Sequence, residues 1–422
     1  MHILFVHKNF PAQFGHIAAY LIRKYGYRCS FVSELPPANV EGIQRIQYKV
    51  KGGATTATHY CSRTFENATW HAFAVYEAMK AHPEVRPDLV VGHSGFGSTV
   101  FLADLYDCPI INYFEYYYRS RNSDLDFRPE FPVKELDILR SRTRNAMILL
   151  DLQTCAAGYC PTNWQRSLFP QEYQYKLETI FDGIDTSVWF RRKDVPRRIG
   201  NVEIPPDTRI VTYVSRGFES MRGFDIFMRA AKGIYESYPN VLFVCVGTDR
   251  VCYGGDLNRI PEKSFREHVL KSDNYDLSKF LFTGRVPPLQ LAEILSLSDL
   301  HIYLTVPFVL SWSMMNALAC GCVVLASDTP PVREMIQHEK NGLLAGFYDV
   351  DRFVELGVRV LKDPAQFRPL GEAGAEMIRE RYSLDVCLPK MLELYQRTLN
   401  SWRSARAAAA DQPVAEPAPP PP

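Results

Sequence analysis

The sequence predicts an α/β protein of two doubly wound domains, each a parallel sheet flanked by helices. Three observations carry this. Short apolar runs of the kind found in buried strands alternate with amphipathic stretches, with short connections between them, along most of the chain. The 422 residues exceed what one hydrophobic core supports, so two domains are the natural division. In each half a strand runs into a glycine-bearing loop and then a helix, at His7–Gly15 and again at Ser215–Gly223. That arrangement turns backbone N–H groups toward an anion.

In the first half, Ile3–Val6 reads as a buried strand, the loop through Gly15 follows, and a helix runs from about His16 to Tyr25. Tyr27–Ser33 is the next strand. Thr64–Lys80 is a long helix with Phe65, Ala68, Ala72, Val75 and Met79 on one face. Pro87–His93 holds a strand, a helix carries Phe101, Leu102 and Leu105, and Pro109–Asn112 is the strand after it. Tyr113-Phe114-Glu115-Tyr116-Tyr117-Tyr118-Arg119-Ser120-Arg121 then emerges at a strand's carboxyl end with five aromatic residues, one carboxylate and two arginines. This composition suits stacking on sugar rings and hydrogen-bonding hydroxyls. Glu115 is the candidate for orienting or deprotonating a bound hydroxyl, with Tyr116 and Tyr117 as its sugar-facing neighbours. The competing reading is a tyrosine-rich surface loop packed on the segment Asp124–Asn145, which itself reads as a loop and an amphipathic helix. A helix from about Asn145 to Thr154, a strand at Gly158–Cys160 and a short helix capped by Thr162 complete the half, which closes at the Ile180–Asp185 turn.

Residues 191–206 are charged and proline-containing, as an interdomain linker is. Ile210–Val214 opens the second sheet and feeds Ser215-Arg216-Gly217-Phe218-Glu219-Ser220-Met221-Arg222-Gly223, with two cations at a helix start. Ile226–Tyr235 is that helix, Val241–Val246 the next strand, Phe280–Pro287 a strand and turn, and Leu289–Leu297 a helix. His301–Thr305 is a strand and Val306–Leu310 an apolar loop. Ser311 or Ser313 caps a helix whose inner face is Met314, Met315 and Leu318, and Gly321 ends it in a left-handed conformation. Val323–Ala326 is a strand, and Ser327–Pro331 leads into a helix with proline near its first turn. Tyr348–Lys362, Pro364–Tyr382 and Val386–Leu399 are helices. The expected division is 1–190, a linker at 191–206, 207–385, a helix at 386–402, and an Ala/Pro-rich tail at 403–422 whose low complexity implies disorder.

Several motifs carry a resemblance. Asn316-Ala317-Leu318-Ala319-Cys320-Gly321, Ala326-Ser327-Asp328, Glu334, Asn341-Gly342, the Arg216/Arg222 pair and Phe282-Thr283-Gly284-Arg285-Val286-Pro287 stand in the order, and largely in the residue types, of the family 4 glycosyltransferases. So do Pro87–His93, Pro161–Arg166 and Phe181–Asp185 in the first half. The chain resembles these retaining enzymes of the GT-B fold, also called glycosyl transferases group 1, across about residues 1–385. The resemblance implies two Rossmann-like domains facing a cleft, with the helix at 386–402 crossing back to the first domain. It implies transfer of a hexose from a UDP- or GDP-linked sugar to a hydroxyl with retained configuration, in surface polysaccharide or glycoconjugate assembly. Arg216 and Arg222, the latter at the position of the family's lysine, would stabilise the departing diphosphate in the transition state. Gly15, Arg285, Val286, Phe308, Ser311, Asn316 and Glu334 would line the donor site, and His16, Tyr116 and Tyr117 would face the acceptor, a glycan or glycolipid.

Two positions depart from the family pattern. Its paired glutamates, eight apart, fall on Phe308 and Asn316. An asparagine still accepts a hydrogen bond, at about 0.5–1.5 kcal/mol against about 1.5–3 for a charged partner. Phe308 accepts none, so at that donor position no carboxylate contact is available. These departures leave as one rival a GT-B protein that binds nucleotide or glycan without turnover, and the shared fold leaves as another a GT-B epimerase or phosphorylase.

Composition narrows the partners. Lys+Arg 48 against Asp+Glu 47 argues against the basic face of a nucleic-acid binder. Ten cysteines at irregular spacing suit reduced thiols in a cytosol. The loop at Gly15 lacks the G-x-G-x-x-G fingerprint, which disfavours a nicotinamide cofactor. No Asp-x-Asp stands at a strand end, so the nucleotide sugar is expected to act as co-substrate with no metal. The opening apolar run is too short for a signal peptide and no run reaches membrane-spanning length. The expectation is a cytoplasmic protein, with peripheral contact at the inner membrane face left open.

Overall fold

The computed structural model describes residues 1–37 and 40–410. Its first sheet contains β1 (His2–Val6), β2 (Arg28–Ser33), β3 (Ile43–Gln47), β4 (Leu89–Ser94), β5 (Ile110–Phe114), β6 (Ala157–Cys160) and β7 (Leu177–Thr179). The spatial order is β3-β2-β1-β4-β5-β6-β7, and every pairing is parallel. A short antiparallel hairpin, β8 (Arg198–Ile199) and β9 (Val202–Glu203), precedes the second sheet. That sheet contains β10 (Arg209–Gly217), β11 (Val241–Thr248), β12 (Phe280–Gly284), β13 (Leu300–Tyr303), β14 (Val324–Ser327) and β15 (Leu343–Ala345), again all parallel, in the order β12-β11-β10-β13-β14-β15. Both sheets reverse their winding next to their first strand, between β1 and β4 and between β10 and β13. Open α/β sheets bind ligands beyond the carboxyl ends of the strands at such a switch point.

The strands are apolar on both faces because helices cover both. Ile3 and Phe5 of β1 pack with Phe14, Ile17 and Leu21, whereas Leu4 and Val6 face Ala74, Val75 and Met79. In the second domain Phe224, Phe227, Ala231 and Ile234 of helix Phe224–Ser237 lie against Val211, Tyr213 and Phe243. The cysteines are free thiols, and all but the half-buried Cys252 are buried.

Four differences from the sequence reading have physical causes. The edge strands β3 and β7 are not signalled by their sequences, IQRIQ and LET, which lack an apolar run. The expected helix around Phe101 is one 3-10 stretch, Val100–Asp104. The segment 191–206 is not an open linker: Ile199 and Ile204 are buried with Ile210, Val244 and Val246. The closing helix runs Leu384–Ala410, so a disordered tail from 403 is incorrect over 403–410, and 411–422 lie outside the described residues. Leu388, Met391, Leu392 and Tyr395 sit in the first domain's core. Arg397, Arg403 and Arg406 pair with Glu178, Asp88 and Asp107, holding the last turns against that domain. Among the described residues no helix is long and apolar enough to cross a membrane.

Candidate active site

The carboxyl ends of β1, β4 and β5 assemble one wall. Parallel pairing sets His93 beside Tyr113, so Glu115, two residues on, leaves the sheet next to His93. His7 follows β1, and its ring stands edge-on to His93 at 5.0 Å. Phe96, half exposed, stacks on His7 at 5.8 Å and meets His93 edge-on at 5.1 Å. Glu115 Oε2 lies 3.9 Å from His93 Nε2. Burial, reinforced by the nearby charge of Asp182, pushes the Glu115 carboxyl up to about 7, against the pull of Arg222 and Arg216. Burial likewise raises Asp182 to about 6, although Trp312 Nε1–H donates to its Oδ2 at 2.7 Å and the Tyr113 hydroxyl at 3.4 Å. Burial lowers His7 to about 4 and holds His93 well below the usual histidine range. Both rings are therefore neutral at pH 7.

The other wall comes from β10 and β13. Arg216 is exposed at the end of β10. Arg222 is 4% exposed: its Nη1 donates to Thr305 Oγ1 at 2.7 Å and the Tyr303 hydroxyl at 3.2 Å, and its Nη2 to the Val309 carbonyl at 3.0 Å. The rings of Tyr253 and Phe308 cover it, with centroids 5.0 and 5.9 Å from the guanidinium carbon. The covering loop is held in turn by Glu219, whose Oε2 accepts from the N–H groups of Cys252, Tyr253 and Gly254 at 3.0, 2.9 and 3.2 Å.

The structure gathers Glu115, Arg216 and Arg222 into one electrostatic neighbourhood and gives several other candidates different work. Phe308 is a packed residue with no open donor-facing surface: it contacts Tyr116 across the domains at 4.8 Å and Tyr253 at 5.6 Å. Tyr116 is buried and donates to Asp124 Oδ1 at 2.7 Å and the Pro307 carbonyl at 3.2 Å, which makes it an interdomain tie and not an acceptor platform. Tyr117 turns into its own domain against Phe169 at 5.5 Å. Glu334 is engaged across the domains, accepting from the Asn163 N–H at 2.8 Å and the Trp164 N–H at 2.8 Å, so its carboxylate caps the short helix Asn163–Ser167 beside the Thr162 cap. Ser311 caps helix Trp312–Ala319, and its own N–H donates to the Tyr303 hydroxyl at 3.1 Å. Asn316 lies on that helix's buried side at 9% exposure. Gly15 opens helix Gly15–Tyr25, where a side chain would come within 2.5 Å of Pro11 Cβ, and His16 beside it is exposed. Arg285 is exposed after β12, and Val286 packs half-buried against the hairpin core.

His7, Phe96, Glu219, Tyr253 and Tyr303 are site residues that sequence reasoning did not single out, whereas His93 and Asp182 were legible only as members of family-like motifs, the strand Pro87–His93 and the turn Phe181–Asp185. Each comes from a different strand end or loop, so only the sheet order brings them together. One further tie joins the walls. Arg128, from the segment Asp124–Asn145, is buried against the second domain, donating to the Ser220 carbonyl at 2.7 Å and to Asp225 Oδ2 at 2.6 Å. Among the described residues no group of three His, Cys, Asp or Glu side chains is placed to hold a metal ion.

Two parallel α/β domains with their strand ends turned to a shared cleft define the GT-B architecture. A sucrose-phosphate synthase from Thermosynechococcus elongatus has the same fold, with a TM-score of 0.74 at 18% identity over 95% of this chain and 99% of that one. The Anabaena protein HepE, solved in complex with UDP-glucose, does too, with a TM-score of 0.64 at 13% identity over 96% of this chain and 100% of that one. Residues 25–189 match the glycosyl transferase family 4 group and residues 195–377 the glycosyl transferases group 1. The chain belongs to the family 4, group 1 glycosyltransferases. Among its relatives is the N-acetyl-alpha-D-glucosaminyl L-malate synthase of Bacillus anthracis, 23% identical over 54% of this chain and 56% of that protein. The chain thus spans about half the length of the curated relatives it matches.

Proposed function

We propose that the protein transfers a hexose from a UDP- or GDP-linked sugar to a hydroxyl of a glycan or glycolipid acceptor, with retention and without a resident metal, in surface polysaccharide or glycoconjugate assembly. What supports this reading is that Glu115, past the end of β5, lies within the charge influence of Arg222, past the end of β10, and of Arg216, at that end, so that the switch-point ends of both sheets act on one carboxyl. The first wall receives the acceptor, and Glu115 orients and deprotonates its hydroxyl. The second wall holds the nucleotide, with Arg216 meeting the diphosphate. The acceptor oxygen attacks on the face from which the diphosphate leaves, and the leaving phosphate accepts a hydrogen bond from the acceptor O–H as Glu115 takes the proton. HepE, by its description, binds UDP-glucose, which supports a uridine nucleotide first.

One observation favours a second reading. The coverage of Arg222 by Phe308 and Tyr253, with its Nη groups held by protein acceptors, describes a nucleotide- or glycan-binding protein without turnover equally well. Calorimetric titration with UDP and with GDP, with and without magnesium, followed by release of nucleotide from the matching sugar donor, separates the two. Micromolar binding unaffected by magnesium, together with donor turnover, is the expected result. Binding without turnover selects the second reading, and no heat with either nucleotide defeats both.

A further inference from the structure

The His93 ring carries an unpaired acceptor aimed at a carboxyl. It is fully buried, and its Nδ1 lies 2.9 Å from the Ser94 carbonyl oxygen. A carbonyl oxygen only accepts, so Nδ1 carries the ring proton and Nε2 presents a lone pair. That Nε2 has no hydrogen-bond partner among the described residues, and an unpaired buried polar atom costs free energy unless something uses it. Aromatic rings wall off the other directions: His7 at 5.0 Å, Phe96 at 5.1 Å and Tyr113 at 4.8 Å. What remains in front of it is Glu115 Oε2 at 3.9 Å. A half-buried glutamate closes that gap by turning about χ3, a soft torsion. An ionised carboxylate has no proton to offer Nε2, whereas a protonated one donates to it directly.

We propose that His93 is the positioning residue of Glu115, its Nε2 lone pair accepting the carboxyl proton and so holding Glu115 as an oriented acid–base group at the acceptor side of the cleft. The inference rests on the transferase reading given above. In the transfer the acceptor O–H breaks as its oxygen bonds the anomeric carbon, the sugar–phosphate C–O bond breaks with its electron pair leaving on the nucleoside diphosphate, and the proton lands on Glu115, where His93 binds it. The titratable and charged groups that face the pair are Asp182, Arg222, Arg216, Tyr113 and Tyr118 toward Glu115, and His7 and Tyr113 toward His93. Asp182 and His7 stand outside the pair but set its electrostatics.

The test needs no substrate. In protein labelled with carboxyl-13C glutamate, with the Glu115 resonance assigned by its loss in Glu115→Gln, the titration midpoint is followed by NMR in the wild type, His93→Phe and His93→Gln. Accepting the proton stabilises the neutral carboxyl, so His93→Phe should move the midpoint down by at least half a pH unit, and His93→Gln, which restores an acceptor oxygen, should return most of the shift. An unchanged midpoint in His93→Phe, or no recovery in His93→Gln, overturns the proposal. A second measurement covers a variant that fails to fold: in wild-type protein with 15N-histidine, the His93 Nε2 resonance should titrate with the Glu115 midpoint and become flat over the same range in Glu115→Gln. Independent titration of the two groups overturns it as well. Because nucleotide binding is measured separately, failure here and failure of the transferase reading are told apart.

Discussion

The two walls of the cleft share a topology and differ in how their polar atoms are satisfied. On the first wall His93 Nε2 and Asp182 Oδ1 are buried without partners among the described residues, and Glu115 is held near neutrality by burial. On the second wall Glu219 Oε1 is likewise buried without a partner among the described residues, but the buried cation Arg222 has protein acceptors at Thr305, Tyr303 and Val309, and aromatic rings lie over it. The first wall is placed for proton chemistry, whereas on the second Arg222 is closed off by its partners and Arg216 is exposed. The comparison teaches that matching a family's charged positions does not settle what the charges do. Arg222 stands where the family has its lysine, yet a planar guanidinium reaches three acceptors at once where a lysine's point charge would not make the same fork.

The largest expected effect sets the two arginines against each other. Arg222→Ala removes the donor shared by three buried acceptors, of which Tyr303 keeps the Ser311 N–H, and should lower unfolding free energy by about 3 kcal/mol. Arg216→Ala should leave stability within about 0.5 kcal/mol while weakening UDP binding roughly tenfold, the loss of one charge-assisted contact. Urea denaturation and calorimetry on both variants give the answer, and equal destabilisation would erase the distinction between a structural and a ligand-facing cation.

A smaller effect tests how the walls are tied. Glu334→Ala removes the acceptor for two backbone N–H groups of the first domain and should cost about 1–2 kcal/mol. If the urea midpoint does not move, the cap across the domains contributes nothing, and Glu334 is free for the donor role that its sequence position implies.

The smallest effect is a slope. Glu115 is held above its ordinary 4.5, so between there and about 7 the folded state binds the extra proton, and on this group's account stability falls as pH rises. His7, held down at about 4, acts in the opposite sense: below 6.5 the unfolded state binds more protons, and stability rises with pH through that window. Glu115→Gln removes the first contribution and keeps the second. Its denaturation midpoint should therefore rise more steeply than the wild type's between pH 4.5 and 7. Parallel curves would place the Glu115 carboxyl back in its ordinary range.

Much of this was written locally in the chain. Strand and helix order followed from apolar runs of the right length, the Ser311 and Thr162 caps from single hydroxyls before helices, and the end of helix Trp312–Ala319 from Gly321, which takes a φ of 66°. Arg216 and Arg222 were legible through the family motif that they match after a strand, and Glu115 through the aromatic run with one carboxylate that follows a strand's carboxyl end. Tertiary structure decided what periodicity does not encode. Tyr116, Phe308 and Glu334 look like site residues in one dimension, but each is satisfied by a partner from the other domain, more than a hundred residues away in sequence. Residues 403–410 read as a low-complexity tail, and they are helical in a stretch whose arginines meet carboxylates of the first domain. Sequence determined which segments become strands and which loops carry charge. Which of those charges stays unpaired depended on sheet order and on the approach of the two domains, because a hydrogen bond is satisfied by whatever group arrives within reach.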